Sequence, residues 1–316
     1  MSIYKDFVIF IIGFLVIIKS ADLLTNGAEG IARAFRIPRI IIGLTIVSLA
    51  TTAPEFTIST ISSYMKVSGM AVGNALGSCI VNIGLILAIA AIIRPINFNP
   101  RVIRQELLFL ITAVIILFLI ILNNRINLWD GVFLCFLLIV FFIYIILREL
   151  KVKKVSNEEA ASNYNIRKDC IQFLIGAIGV VLSAKYAIIP SGINIAHFLK
   201  VPEIVIGLSI VALGTSLPEL VTAVIASTKK MGELAVGNVI GANILNILWV
   251  LGISSLINPL DIDAQTRVIT LPVLFFITVF MFLFSRTKFT LSRKEGLILF
   301  FIYTGYIFYI FKFAYN

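Results

Sequence analysis

The sequence predicts an all-α polytopic membrane protein: ten transmembrane helices arranged as two inverted five-helix repeats, with broken helices at the midplane. Three observations predict it. The 316 residues are 60% hydrophobic with a mean hydropathy of +1.07, more apolar surface than a soluble core of this size needs. Apolar runs of about 20 residues, each long enough to cross a bilayer as a helix, recur about ten times. The chain also repeats itself at a fixed spacing.

The apolar runs centre on residues 7–24, 40–63, 70–93, 104–122, 129–148, 169–189, 203–227, 234–257, 267–285 and 295–313. The first lacks a small-residue cleavage site after it and is read as a retained span. Near its end Lys19 and Asp22 read as an intrahelical pair. The last, rich in Phe and Tyr, reads as lipid-facing, and the single histidine, His197, falls in a predicted loop.

The net charge of +10 could suggest a nucleic-acid partner, but its placement argues for topology. With the N-terminus outside, the alternate inside segments gather about eighteen Lys and Arg, among them Arg33, Arg94, Arg148, Lys229 and Arg286. The outside segments hold about six. This bias predicts a multi-pass cell-membrane protein with both termini outside. No nucleic acid and no protein partner is expected, and a monomer suffices. Cys79, Cys135 and Cys170 are widely spaced and suit neither a disulfide framework nor a metal cluster.

The repeat fixes the organisation. Glu219 minus Glu55 is 164, and the same spacing relates Pro38 to Pro202, Thr51 to Thr215, Pro54 to Pro218, Gly77 to Gly241 and Asn82 to Asn246. From Pro38 to Leu85 no gap is needed, and roughly 22 of about 48 aligned positions are identical. Five spans per half is an odd number, so the halves enter the membrane with opposite orientation, as in many secondary transporters. The predicted domains are an N-terminal repeat over 1–147, a charged cytoplasmic linker over 148–168 and a C-terminal repeat over 169–316.

Chemistry concentrates where the repeat is strongest. "ATTAPEF" (residues 50–56) and "GTSLPEL" (214–220) place proline and glutamate inside apolar spans. Proline lacks an N–H and crowds the carbonyl four residues back, so each helix should break and release carbonyls. At membrane depth these must be satisfied by protein, water or a cation. Thr51, Thr52, Thr215 and Ser216 add hydroxyls at the breaks, and Glu55 and Glu219 add carboxylates. An all-oxygen cluster of this kind suits hard cations, whereas softer metals favour His and Cys. Two carboxylates can neutralise one Ca2+, several Na+ or protons. The following stretches "GNALGSCIVN" (73–82) and "GNVIGANILN" (237–246) align Asn74, Ser78 and Asn82 on one helix face, and Asn238, Ala242 and Asn246 on the other. Gly77 lies on the first of these faces, where it allows close packing. A lone proline kink or a lone GNxxG reads as packing. Two matched mid-span glutamates read as function, because each is costly to bury.

At these residues the chain resembles the sodium/calcium exchanger family of the calcium/cation antiporter superfamily, in its prokaryotic form with two alpha-repeats. That family's "G-T-S-x-P-E" and "G-N-x-x-G-S-x-x-x-N/D" motifs stand here as "ATTAPE" with "GNALGSCIVN" and "GTSLPE" with "GNVIGANILN". The resemblance implies that Glu55 and Glu219 bind both Ca2+ and Na+, with Thr51 and Thr215 completing the calcium site. It implies backbone carbonyls from Ser48 and Ala212 and hydroxyls from Thr52, Ser78 and Ser216 at flanking sodium sites, with Asn82 and Asn246 beside the centre. Ala242 departs from the family's serine and removes one hydroxyl.

The function so implied is secondary active antiport of Ca2+ for Na+ by alternating access, with no cofactor beyond the transported ions. A Ca2+/H+ antiporter of the same superfamily and a passive cation channel are the alternatives. No nucleophile–base pair or phosphate loop argues for an enzyme.

Overall fold

The computed structural model describes residues 3–35, 37–98, 100, 103–153, 165–198, 212–287 and 289–314. Helix α1 spans Ile3–Ala34. A span bent by 47° follows, made of α2 (Arg39–Thr51) and α3 (Ala53–Tyr64). Next come α4 (Ser68–Ile93), α5 (residues 103–121) and α6 (Leu128–Lys153). The second half holds α7 (residues 166–198), α8 (Ala212–Thr215), α9 (Leu217–Thr228), α10 (Gly232–Ile257), α11 (Thr266–Arg286) and α12 (Arg293–Ala314). Among the described residues, six helices are long and apolar enough to cross a membrane, or seven with the bent pair counted as one span. The expected span over 203–227 lies partly outside the described residues, and its visible part is α8 and α9.

The repeat is legible in the helix ends. Adding 164 to the bounds of Ala53–Tyr64 gives Leu217–Thr228, and adding it to Ser68–Val81 gives Gly232–Leu245. Both α3 and α9 stop at the same device. Lys66 and Lys230 adopt left-handed φ values of 60° and 64°. Val67 N–H then bonds the Ser62 carbonyl, Met231 N–H the Ala226 carbonyl, each at 2.8 Å. This is the six-to-one closure of a helix C-terminus, here with lysine where glycine is usual.

Helices α4 and α10 form the centre: 72% and 78% of their most apolar stretches are buried, against 28% for α1 and 22% for α6. Close approach explains the packing. A Cβ on Gly237 would lie 2.3 Å from the Ile40 carbonyl oxygen, and one on Gly241 would lie 2.6 Å from Ser48 Oγ. Small residues thus let α2 cross α10 nearly backbone to backbone. The matched Gly77 differs, since a Cβ there would meet no described atom within 4 Å. Helices α1 and α7 make a second tight pair. A Cβ on Gly27 would lie 2.4 Å from Phe173 N, and one on Gly176 would lie 2.3 Å from Leu24 N. Ser183 Oγ donates to the Gly13 carbonyl at 2.7 Å, and Asn194 Nδ2 to Asp6 at 2.9 Å.

Among the described residues, two short antiparallel ribbons tie the halves together. Strand β1 (Ile96–Asn97) pairs with β4 (Thr290–Leu291), and β2 (Arg125–Ile126) with β3 (Leu260–Asp261). Each ribbon takes one strand from each half.

Several expectations need correction. Asp22 pairs with Lys229, the residue that follows α9, which also reaches Asn26 Oδ1 at 2.7 Å; α9 packs beside α1, so Asp22 finds its cation beyond its own helix and not at Lys19. Residues 148–153 continue α6 and the next helix begins at Ile166, so helical structure takes both ends of the segment assigned as linker. Its residues 154–164 lie outside the described residues. His197 sits in the last turn of α7, not in a loop. Helix α12 is lipid-facing on one side only: Phe301 and Phe308 are exposed, while Tyr303 is buried and Tyr306 donates to or accepts from Thr270 at 3.3 Å.

Candidate ion-binding site

The helix breaks place the carboxylates. Thr52 and Ser216 separate α2 from α3 and α8 from α9, and Pro54 and Pro218 take the second position of the new helices, where a missing N–H costs nothing. Glu55 and Glu219 therefore lie in the first turns of α3 and α9, where free backbone N–H groups favour negative charge. Both are 1% exposed.

The breaks exchange partners. Thr52 Oγ1 of the first half donates to Glu219 Oε1 at 3.4 Å, and Ser216 Oγ of the second half to Glu55 Oε1 at 3.2 Å. Thr51 Oγ1 donates to Asn238 Oδ1 at 3.1 Å, and Thr215 Oγ1 to Asn74 Oδ1 at 3.4 Å. Ser78 Oγ reaches Glu55 Oε1 at 3.4 Å and lies 3.2 Å from Ser216 Oγ. No hydroxyl stands at Ala242, the matched position, which is fully buried. Asn74 also steadies the first break by donating to the Glu55 carbonyl at 3.1 Å and to Ser59 Oγ at 2.9 Å.

The structure thus brings together Thr51, Thr52, Glu55, Ser78, Thr215, Ser216 and Glu219. Ser48 and Ala212 open the helical turns that lead into the breaks, and the Ser48 carbonyl accepts Thr52 N–H at 2.9 Å. Asn82 and Asn246 are buried and begin matched π-helical turns, Asn82–Leu87 and Asn246–Val250. Such one-turn bulges disturb the backbone ladder and gather at functional sites. The buried side-chain oxygens that make no hydrogen bond to described residues include four on the repeated motifs: Glu55 Oε2, Glu219 Oε2, Asn82 Oδ1 and Asn246 Oδ1. Buried polar atoms are nearly always satisfied. An unsatisfied set made of two carboxylate and two amide oxygens is what a hard cation needs, because it takes oxygen ligands and charge compensation together.

The motif reading missed two residues. Asn243 of α10, aligned with Cys79, bridges to α4, and Lys229 bridges to α1. Asn243 is a polar residue at an apolar helix position and could have been singled out. Lys229 resembled any other loop-side cation.

The model of the sodium/calcium exchanger protein family matches residues 5–147 and 169–312. The chain belongs to the sodium/calcium exchanger family. The exchanger is 35% identical to inner membrane protein YrbG of Escherichia coli, over 80% of each chain. It is 29% identical to the sodium/calcium exchanger MaX1 of Methanosarcina acetivorans, over 97% of this chain and 98% of that one. Its structure matches that of the sodium-calcium exchanger NCX_Mj soaked with Na+ and Sr2+, with a TM-score of 0.82 and 33% identity over 96% of this chain and 98% of that one. The exchanger is a membrane transporter and not an enzyme, and the ions it moves are substrates, not cofactors.

Proposed function

We propose that the exchanger carries Ca2+ in one direction and Na+ in the other by alternating access at a single buried site. One observation carries the reading: two carboxylates at matched positions, each held by a hydroxyl from the opposite half and each with one oxygen free of protein partners. Glu55 and Glu219 offset the charge of one Ca2+ or share several Na+. Thr51, Thr215 and the carbonyls of Ser48 and Ala212 complete the oxygen shell; Thr52, Ser78, Ser216, Asn82 and Asn246 flank it. The relatives named sodium/calcium exchanger support this assignment. The test is calcium uptake into proteoliposomes with internal Na+, K+ or H+ varied one at a time.

A Ca2+/H+ exchange is the second reading, and Ala242 favours it. The second half lacks the hydroxyl that Ser78 gives the first, so one flanking Na+ would have fewer ligands. A pH gradient that drives calcium flux where a sodium gradient does not would select it.

Ten spans in two inverted repeats, with domains 1–147 and 169–316 about a cytoplasmic linker and both termini outside, are the proposed topology. The ribbons support it. Strands β1 and β4 lie in segments that the charge bias assigns to the inside, β2 and β3 in segments assigned to the outside. Alternation thus puts every pair on one side of the membrane. Helices α1 and α7, paired through glycine and bearing none of the proposed ligands, are the moving unit against the centre.

A further inference from the structure

We propose that Asn243 is a positioning residue that turns the oxygen of Asn82 toward the ion and thereby makes the two flanking asparagines unequal. The proposal rests on the reading of Asn82 as an ion ligand.

The argument starts from one backbone carbonyl. The π-helical turn that begins at Asn82 loosens the ladder of α4 around Cys79. The Cys79 carbonyl there takes a bond from Asn243 Nδ2 at 3.1 Å. A carbonyl can only accept, so this contact fixes which end of the Asn243 amide faces α4. Its Oδ1 must then point the other way, and it accepts Asn82 Nδ2 at 2.9 Å. That second bond fixes Asn82 in turn. Its nitrogen faces Asn243, so its Oδ1, buried and without a protein partner, is the acceptor that it turns the other way. Orientation passes along the chain from carbonyl to amide to amide.

The other half lacks this device. Position 79 matches position 243 across the repeat, and their contact is mutual: Cys79 Sγ approaches the Asn243 carbonyl at 3.7 Å. A thiol has no second polar arm at amide distance. Asn246 has the Cys79 thiol beside it, a weak partner, and neither its Oδ1 nor its Nδ2 makes a hydrogen bond of normal length to a described residue. Asn246 can present oxygen to a cation or nitrogen to a carboxylate, depending on what the site holds. Asn82 is a fixed acceptor, and Asn246 is an adjustable one.

The experiment measures Ca2+ affinity by calorimetry on the purified full chain, with thermal melting as a control for folding. Asn243→Leu keeps the shape and removes both bonds. It should weaken Ca2+ binding about fivefold, the scale of one misdirected buried hydrogen-bonding group. Asn82→Asp carries oxygen on both sides, so its orientation no longer matters, and adding Asn243→Leu to it should change affinity less than about twofold. Equal losses in the two backgrounds would mean a structural role and overturn the proposal. If Asn243→Leu does not fold, Asn243→Cys under reducing conditions takes its place, since it reproduces the residue found at the matched position. Asn82→Ala separates the two readings. Unchanged affinity in that variant removes Asn82 as a ligand. Weakened affinity there with normal affinity in Asn243→Leu removes only the positioning role.

Discussion

The Glu55 carboxylate receives a hydroxyl from Ser78 besides the one Ser216 gives it from the opposite half, whereas Ala242, at the position matched to Ser78, is buried and has no hydroxyl to offer Glu219. This difference between otherwise matched residues has a measurable consequence. Ala242→Ser should restore an oxygen on the second side and strengthen sodium binding there by about 1–3 kcal/mol. The sodium concentration that expels bound calcium should fall severalfold, with little change in calcium affinity at zero sodium. A sodium titration of bound calcium in both proteins reads it, and coincident curves would remove position 242 from the site. The carboxylates themselves permit a plainer test. Glu55→Gln and Glu219→Gln keep shape but lose the charge that offsets desolvation of a divalent ion. Each should abolish calcium uptake while the purified protein still elutes as a single folded species. The motif residues were legible because a carboxylate within an apolar span is expensive and therefore rarely accidental. The roles of Asn243 and Lys229 were not, because each acts through a partner far away in sequence.

At the scale of helices, the α1–α7 pair depends on glycine. A Cβ at Gly27 would meet Phe173 backbone nitrogen at 2.4 Å, and backbone cannot step aside as a flexible side chain can. Gly27→Ala should destabilise by about 1–3 kcal/mol, read as a lower melting temperature, while Ala28→Gly nearby lacks any such clash. The pair is tied to the centre by Lys229 with Asp22 and Asn26 and by Arg39 with Glu29. If α1 and α7 slide between access states, these contacts must break and re-form. Cysteines at Asp22 and Lys229, joined by a short bifunctional thiol reagent, should stop exchange but leave calcium binding intact. Full exchange in the cross-linked protein would remove α1 from the moving unit. The helix breaks followed from proline chemistry alone. The 47° bend at Thr52 could not be read as an angle, because it depends on how α2 packs over Gly237 and Gly241.

At the scale of the whole molecule, periodicity and charge placed most helices within a few residues of their observed bounds, since a bilayer fixes the length of an apolar run. They missed the extension of α6 to Lys153, where the helix outlasts its apolar run. The proposed orientation predicts that a cysteine in residues 154–164 is labelled by an impermeant thiol reagent only from the cytoplasmic side. Labelling from outside would reverse the topology.

The crossed ribbons also govern how the protein is made. Ile96 pairs with Leu291 and Ile126 with Leu260, so neither half closes its own loops. At about 5–20 residues per second, β1 leaves the ribosome roughly 10–40 seconds before its partner strand exists. During that interval the first half is in the membrane with an unpaired strand edge, the kind of edge that recruits wrong partners. The exchanger is thus assembled like a buckle that fastens last. Its early half must persist as a partly ordered bundle, kept from mispairing by having only a two-residue strand to offer, until synthesis delivers the strand that completes it.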